Sequence, residues 1–414
     1  MSQQFINKYF FILLVFTLIF GILLYDLIGF DYTDEICALF LFCLFIGFMF
    51  KSTDWRINKA FLITIFIFIF YLGYSFFIKS NTTAGILTDL FIQIKPYLAF
   101  FCVYSMTPYF STNKKAILKS IALIFWFCLL IIGIVDIFIP NFLYYALGHW
   151  AYFAAAVVVT SLCYFYCSKF TTLDKITFLL MLSVGILSGR SKFFGFYAFA
   201  IFILLFFRNV NDFKLNLRNI SVALLLLIAV IFAANEKLYF YFYQTVTEDI
   251  DKDMVARYIL YANAPEIMKD YFPFGSGFAT YGTWASGLYY SHIYADYGID
   301  NVWGMTKDYY SFIADTYYPS LAQFGVVGVL LHIIFWIYVL RKAFRFSKAT
   351  NNIHLLAMVV LIIGFFAIEG TTDSTFTTHR GFFILMILGL ILGNLKKDYY
   401  LVAKQMENEN PANQ

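Results

Sequence analysis

Charge is scarce in this chain: only 13% of its 414 residues are Asp, Glu, Lys or Arg, against 62% that are apolar. The mean hydropathy is +0.76. A water-soluble protein of this length could not cover its surface with so few polar groups, so the expected solvent is lipid. Basic clusters of the size that nucleic acid requires are missing, which excludes a nucleic-acid partner, and the net charge of +4 is too small to name any other. Cysteine is sparse too. Cys37, Cys43, Cys102, Cys128, Cys163 and Cys167 all fall within apolar runs, with no nearby His or further Cys to complete a metal set. They read as small core residues, and neither a metal nor a cofactor is expected. The chain has no P-loop, no His-Glu-x-x-His zinc motif and no Gly-x-Ser-x-Gly elbow, which excludes the common soluble nucleotide-binding and hydrolytic enzymes.

What the chain does have is long apolar runs. With a span needing ~20 apolar residues, about twelve are expected, at 9–28, 34–50, 60–78, 96–111, 116–139, 150–167, 173–188, 193–208, 219–235, 319–340, 353–369 and 381–395. The first is too long for a signal peptide core and lacks a small-residue cleavage site, so it reads as a retained helix. An interfacial helix is expected over 79–95, ahead of Pro96. Lys and Arg gather in cytoplasmic loops. An N-terminus in the cytoplasm places Lys51/Arg56/Lys59, Lys114/Lys115/Lys119, Lys169/Lys175, Arg208/Lys214/Arg218, Arg341/Lys342/Arg345/Lys348 and Lys396/Lys397 inside. Both termini then face the cytoplasm. The expected class is an all-α polytopic membrane protein: helices 1–9 over 1–234, one large outer loop over 235–318, helices 10–12 over 319–395 and a cytoplasmic tail over 396–414.

The informative residues are cations on the wrong side. Arg190 and Lys192 lie in the tight outer loop Ser188-Gly189-Arg190-Ser191-Lys192, Arg257 in the large loop, and Arg380 at the mouth of the last span. An outer cation needs a partner or a function; snorkelling to lipid phosphates and pairing with a local carboxylate are the plain alternatives. Within the loop, Asp253 to Asp270 reads as an amphipathic helix with Met254, Tyr258, Tyr261 and Pro265 on one side, and Arg257 and Tyr261 one turn apart. Gly275-Ser276-Gly277 is either an ordinary turn or a backbone cradle open to an anion or sugar. The run Tyr281 to Asp300, with Trp284, Tyr289, Tyr290, His292, Tyr294 and Tyr297, suits sugar stacking and an interfacial belt equally. Asp315 closes the loop, and the last outer loop, Glu369 to Arg380, carries Asp373 and His379. His149, His332 and His354 read as isolated.

The order of these parts resembles the O-antigen polymerases and O-antigen ligases of bacterial surface polysaccharides. The likeness is carried by Ser188-Gly189-Arg190-Ser191-Lys192 before a span, by the Arg257 helix running into Pro273-Phe274-Gly275-Ser276-Gly277, and by Asp315 leading to Gly325-Val326-Val327-Gly328. It covers about residues 185–330. The ligases tend to carry a histidine at the loop exit, where this chain has Asp315-Thr316-Tyr317-Tyr318, which tilts the reading toward a polymerase. The resemblance implies a GT-C-like glycosyltransferase bundle in the bacterial inner membrane with the large loop periplasmic. It also implies an undecaprenyl-diphosphate-linked glycan as substrate, membrane lipid as surroundings and a chain-length regulator protein as partner. On that reading Arg190, Arg257, Lys192 and Arg380 bind the diphosphate, since guanidinium forks suit phosphate. Asp315, His379 and Asp373, in that order, are the candidate general bases, and Tyr261, Trp284, Tyr317 and Tyr318 hold the glycan. The rivals are a ligase moving a finished glycan to another acceptor, a flippase or transporter for the lipid-linked sugar, and a scaffold without chemistry.

Overall fold

The structure, a computed structural model, describes residues 2–25, 32–50, 59–207, 209–210, 221 and 252–409. The expected span 219–235, the first part of the large loop and the basic residues Lys51, Arg56, Arg208, Lys214 and Arg218 lie outside the described residues. Every regular element among the described residues is helical. In chain order the α-helices are α1 (Gln3–Leu18), α2 (Thr33–Met49), α3 (Lys59–Ile78), α4 (Thr83–Met106), α5 (Thr112–Phe138), α6 (Phe142–Leu147), α7 (Trp150–Cys167), α8 (Thr172–Ser183), α9 (Ser191–Phe206), α10 (Lys252–Asp270), α11 (Trp284–Leu288), α12 (Ile293–Asp296), α13 (Gly325–Thr350), α14 (Ile353–Glu369) and α15 (His379–Glu409).

Six helical stretches among the described residues are long and apolar enough to cross a membrane: Gln3–Ile22, α3, α4, α5, α7 and Pro319–Thr350. Two shorter apolar ones, Ser191–Leu205 and α14, fall below that length. Of the twelve expected spans, six meet that length among the described residues, and 219–235 lies outside them. Periodicity finds apolar runs well, but a run can end early, as 173–188 does when it tightens into a 3-10 turn at Val184. α3 buries Phe61, Tyr71 and Ser75 and turns Leu62, Ile63, Phe66, Ile69, Phe70 and Phe77 outward. Such a face suits lipid and no other solvent. Cys37, Cys102 and Cys163 are buried as expected, whereas Cys43 and Cys128 sit on outward faces.

One expectation is corrected at Pro96. Instead of an interfacial helix followed by a short span, residues Thr83–Met106 form one helix with Pro96 inside it. Proline removes one rung of the ladder, which does not end a helix whose other backbone groups have no better partner. Its 24 residues span roughly 36 Å at ~1.5 Å per residue, more than the ~30 Å apolar thickness of a bilayer. The first turns of α4 pack against α11, and buried Asp89 accepts a 2.7 Å bond from the Ala279 N–H. Thr82 starts the helix by capping the Gly85 N–H.

At the centre, α15 packs along α4 and against α13 and α14, with Phe382 to Ile387 almost wholly buried. The helix runs on without a break past Lys396 to Glu409. Residues 252–318 fold over one end of the bundle and carry a small core of their own, made by Leu260, Ile267, Tyr281, Ile293, Tyr294, Met305 and Ile313. The buried side of α10 is thus Ala256, Leu260, Ala264 and Ile267. The side marked in the sequence by Tyr258 and Tyr261 faces outward, because tyrosine's polar tip lets it read as either face.

The Gly275-Ser276-Gly277 turn is no open cradle. Gly275 donates to the Tyr271 carbonyl and Gly277 to the Gln323 carbonyl, each at 2.8 Å, and Ser276 is buried against Thr280 at 2.7 Å. Gly275 adopts φ +79°, and a Cβ there would stand 2.2 Å from the Gly325 nitrogen. Two glycine backbones meet where no side chain fits. This joint fastens the 252–318 unit to the head of α13.

Candidate functional site

The contacts sort the helix ends by charge. At one end Lys114 donates to the Asn7 carbonyl, Lys119 pairs with Asp174, and Lys396 and Lys397 lie over Tyr104 and Tyr109. At the other end the start of α2, the starts of α7 and α9, the 252–318 unit and the Glu369–Arg380 loop come together around one charged cluster.

Its members come from segments far apart in the chain. Gly189, at φ +62° in open space, turns the backbone so that Arg190 becomes the N-cap residue of α9. Arg190 Nη2 lies 3.0 Å from both ring nitrogens of His149. From α10, Arg257 Nε donates to Asp315 Oδ2 at 2.6 Å, and its Nη2 pairs with the same oxygen. Lys192 is buried between Glu369 and Asp373, with Asp373 Oδ2 at 3.3 Å. Arg380 reaches Asp373 Oδ1 at 3.4 Å while its guanidinium carbon lies 4.4 Å over the Tyr152 ring. The groups are close enough to act on one another: Asp373, Arg257, Asp315 and Glu369 all perturb Arg190.

Arg190, Arg257, Lys192 and Arg380 face Asp315, Glu369 and Asp373 here, and the Lys95 pair with Asp34 and Glu35 stands at the same end. Arg380 is only 5% exposed, yet its Nε and Nη1 have no acceptor among the described residues. A buried N–H without an acceptor is expensive, and it is tolerated where a ligand supplies one.

The carboxylates differ in character. Burial pushes Asp315 above the usual carboxylate range, and Arg257 only partly offsets it. Burial also acts on Asp373, but Arg380 and Lys192 outweigh it and hold that carboxyl well below its ordinary value. Asp373, expected as a candidate base, anchors two cations, Lys192 and Arg380, and is a weaker base than Asp315. His379 is buried, stacked on Tyr25 at 3.7 Å, and makes no hydrogen bond to a described residue. Asp315 remains the best-placed proton acceptor.

Lys192 is committed to its two carboxylates rather than open to a ligand, which is the pairing alternative raised from the sequence. Removing one member of so buried a set strands the others. Lys192→Met is expected to destabilise the protein by about 3–5 kcal/mol, and the double change Lys192→Met/Glu369→Leu to recover most of it. Thermal unfolding in detergent measures both, and an unshifted transition for the single variant would show the set to be solvated.

Of the expected glycan residues, the structure brings Tyr261 to the cluster's edge, where its hydroxyl donates to the Thr371 carbonyl at 2.8 Å. Tyr317 is corrected: it is 3% exposed, packed on Phe376 and His332, and out of reach of a sugar. Tyr318 donates to the Ala367 carbonyl at 2.9 Å and braces the head of α13 against α14. Trp284 is half exposed at the start of α11, which packs on α4, and joins none of the cluster's contacts among the described residues.

His149 and His332 are not isolated. His332 takes the Trp336 indole N–H at 3.0 Å among buried aromatics, and His354 stacks on Phe170. Lys95, unremarked in the sequence, is buried and paired with Asp34 and Glu35. The signal was there: a lysine inside an apolar run, and a histidine at the very start of one, both break the pattern that placed Arg190. No protein-family model matches the chain, and no curated protein matches it either.

Proposed function

We propose that this protein is a membrane glycosyltransferase that lengthens an undecaprenyl-diphosphate-linked oligosaccharide. It would work at the periplasmic face of the bacterial inner membrane, with twelve spans and both termini in the cytoplasm. The observation that supports it most is the meeting of Arg190, Arg257 and Arg380 at one end of the bundle, where Arg380 Nε and Nη1 lack an acceptor among the described residues. Breaking the bond between an anomeric carbon and a lipid diphosphate sends the electron pair, and growing negative charge, to the diphosphate oxygen. Fixed cations at low dielectric lower that barrier. The acceptor hydroxyl attacks the anomeric carbon and its proton passes to Asp315, whose raised affinity for a proton suits the task. Lys192, Glu369 and Asp373 hold the cations in place. Membrane lipid surrounds the bundle, and a chain-length regulator protein is the expected partner.

The test is direct. Purified protein is incubated with an undecaprenyl-diphosphate-linked repeat unit, and the products are sized. Lengthened lipid-linked chains support the reading. Unchanged repeat units with folded protein would count against it, and transfer only to a different acceptor would point to the ligase.

A further inference from the structure

We propose that His149 is a further ligand-binding residue of this cluster, donating its Nε2–H to the diphosphate that Arg190 binds; the inference rests on the diphosphate reading above. Three observations carry it. The first is the state of the ring. His149 is the N-cap residue of α7, and its Nδ1 accepts the Ala151 N–H at 3.1 Å. A nitrogen that accepts carries no proton, so the neutral ring holds its one proton on Nε2. Burial and the neighbouring Arg190 keep the ring neutral, lowering its pKa to about 4.

The second is direction. With Nδ1 turned to the helix, Nε2 points away from it, and Arg190, Lys192, Asp373 and Arg380 all stand near enough to act on the ring. Arg190 does not use up the Nε2 position: an atom 3.0 Å from both ring nitrogens lies over the ring, not along either lone pair. The guanidinium and the Nε2–H therefore present donors side by side.

The third is independent of His149. Arg380, nine-tenths buried, leaves Nε and Nη1 without an acceptor among the described residues. It lies over Tyr152, whose ring is 5.7 Å from that of His149. Donors from two arginines and one imidazole gathered at one end of the bundle suit a ligand with several anionic oxygens.

Two substitutions separate this role from mere capping. His149→Asn keeps a good N-cap but shortens the side chain and removes the donor at the Nε2 position. His149→Gln places an amide N–H near that position. Binding of inorganic pyrophosphate to the detergent-solubilised protein is measured by calorimetry. The expected result is about tenfold weaker binding for His149→Asn, as for loss of one hydrogen bond to a charged group, with His149→Gln close to the unsubstituted protein. Equal affinity for His149→Asn would overturn the inference and leave His149 as a cap and brace alone. Should that variant fail to fold, the 15N shifts of the His149 ring in the unsubstituted protein decide: a proton on Nδ1 overturns the inference. If the unsubstituted protein does not bind pyrophosphate, or Arg190→Ala binds it equally well, the diphosphate reading itself falls.

Discussion

Replacing Arg257 with alanine should cut the rate of chain lengthening by about 10²–10³-fold, the usual consequence of removing one preorganised partner for transition-state charge. Arg257 holds both its Nε and Nη2 on Asp315, so the substitution acts twice. It takes away a cation from the diphosphate and leaves the half-buried Asp315 carboxyl with less to offset its desolvation. Arg257→Lys should restore part of the rate, because an ammonium keeps the charge but not the planar fork. The measurement is product length against time with purified protein, or surface glycan length in cells holding normal amounts of the variant. Long chains persisting with alanine in place would remove Arg257 from the mechanism.

Asp315→Asn should lower the rate by about 10²–10⁴-fold, the range for losing a general base, while leaving pyrophosphate binding nearly intact. A base works only when deprotonated. Since burial raises the Asp315 pKa, activity should fall as pH drops through a value above the ordinary carboxylate pKa of ~3.9. In Arg257→Ala that acid limb should move to higher pH still, because the lost guanidinium was favouring the charged form. An acid limb that stays in place in Arg257→Ala, or that persists unchanged in Asp315→Asn, would assign the proton transfer elsewhere.

The cations were legible because each violates a strong rule. Arg190 and Arg257 fall in loops expected on the outer side, where Lys and Arg are scarce, so each needs a partner or a function. The aromatics were not legible for the opposite reason. Tyrosine has an apolar body and a polar tip, so Tyr317 in the core and Tyr261 at the cluster edge look alike in a sequence. Glycine had the same ambiguity: Gly275 and Gly325 proved to be a backbone joint, fitted to each other across some fifty residues of chain.

By itself the sequence determined that the chain is helical, apolar on its outer faces and polarised in charge along its loops, since these follow from composition and from periods of a few residues. Only the tertiary structure decided that His149 stands beside Arg190, that Lys192 is committed to Glu369 and Asp373, and that Asp315 and Asp373 have opposite proton affinities. A carboxyl's affinity for a proton depends on how deeply it is buried and which charges lie within a few ångströms. Those neighbours come from helices whose packing partners no local pattern names.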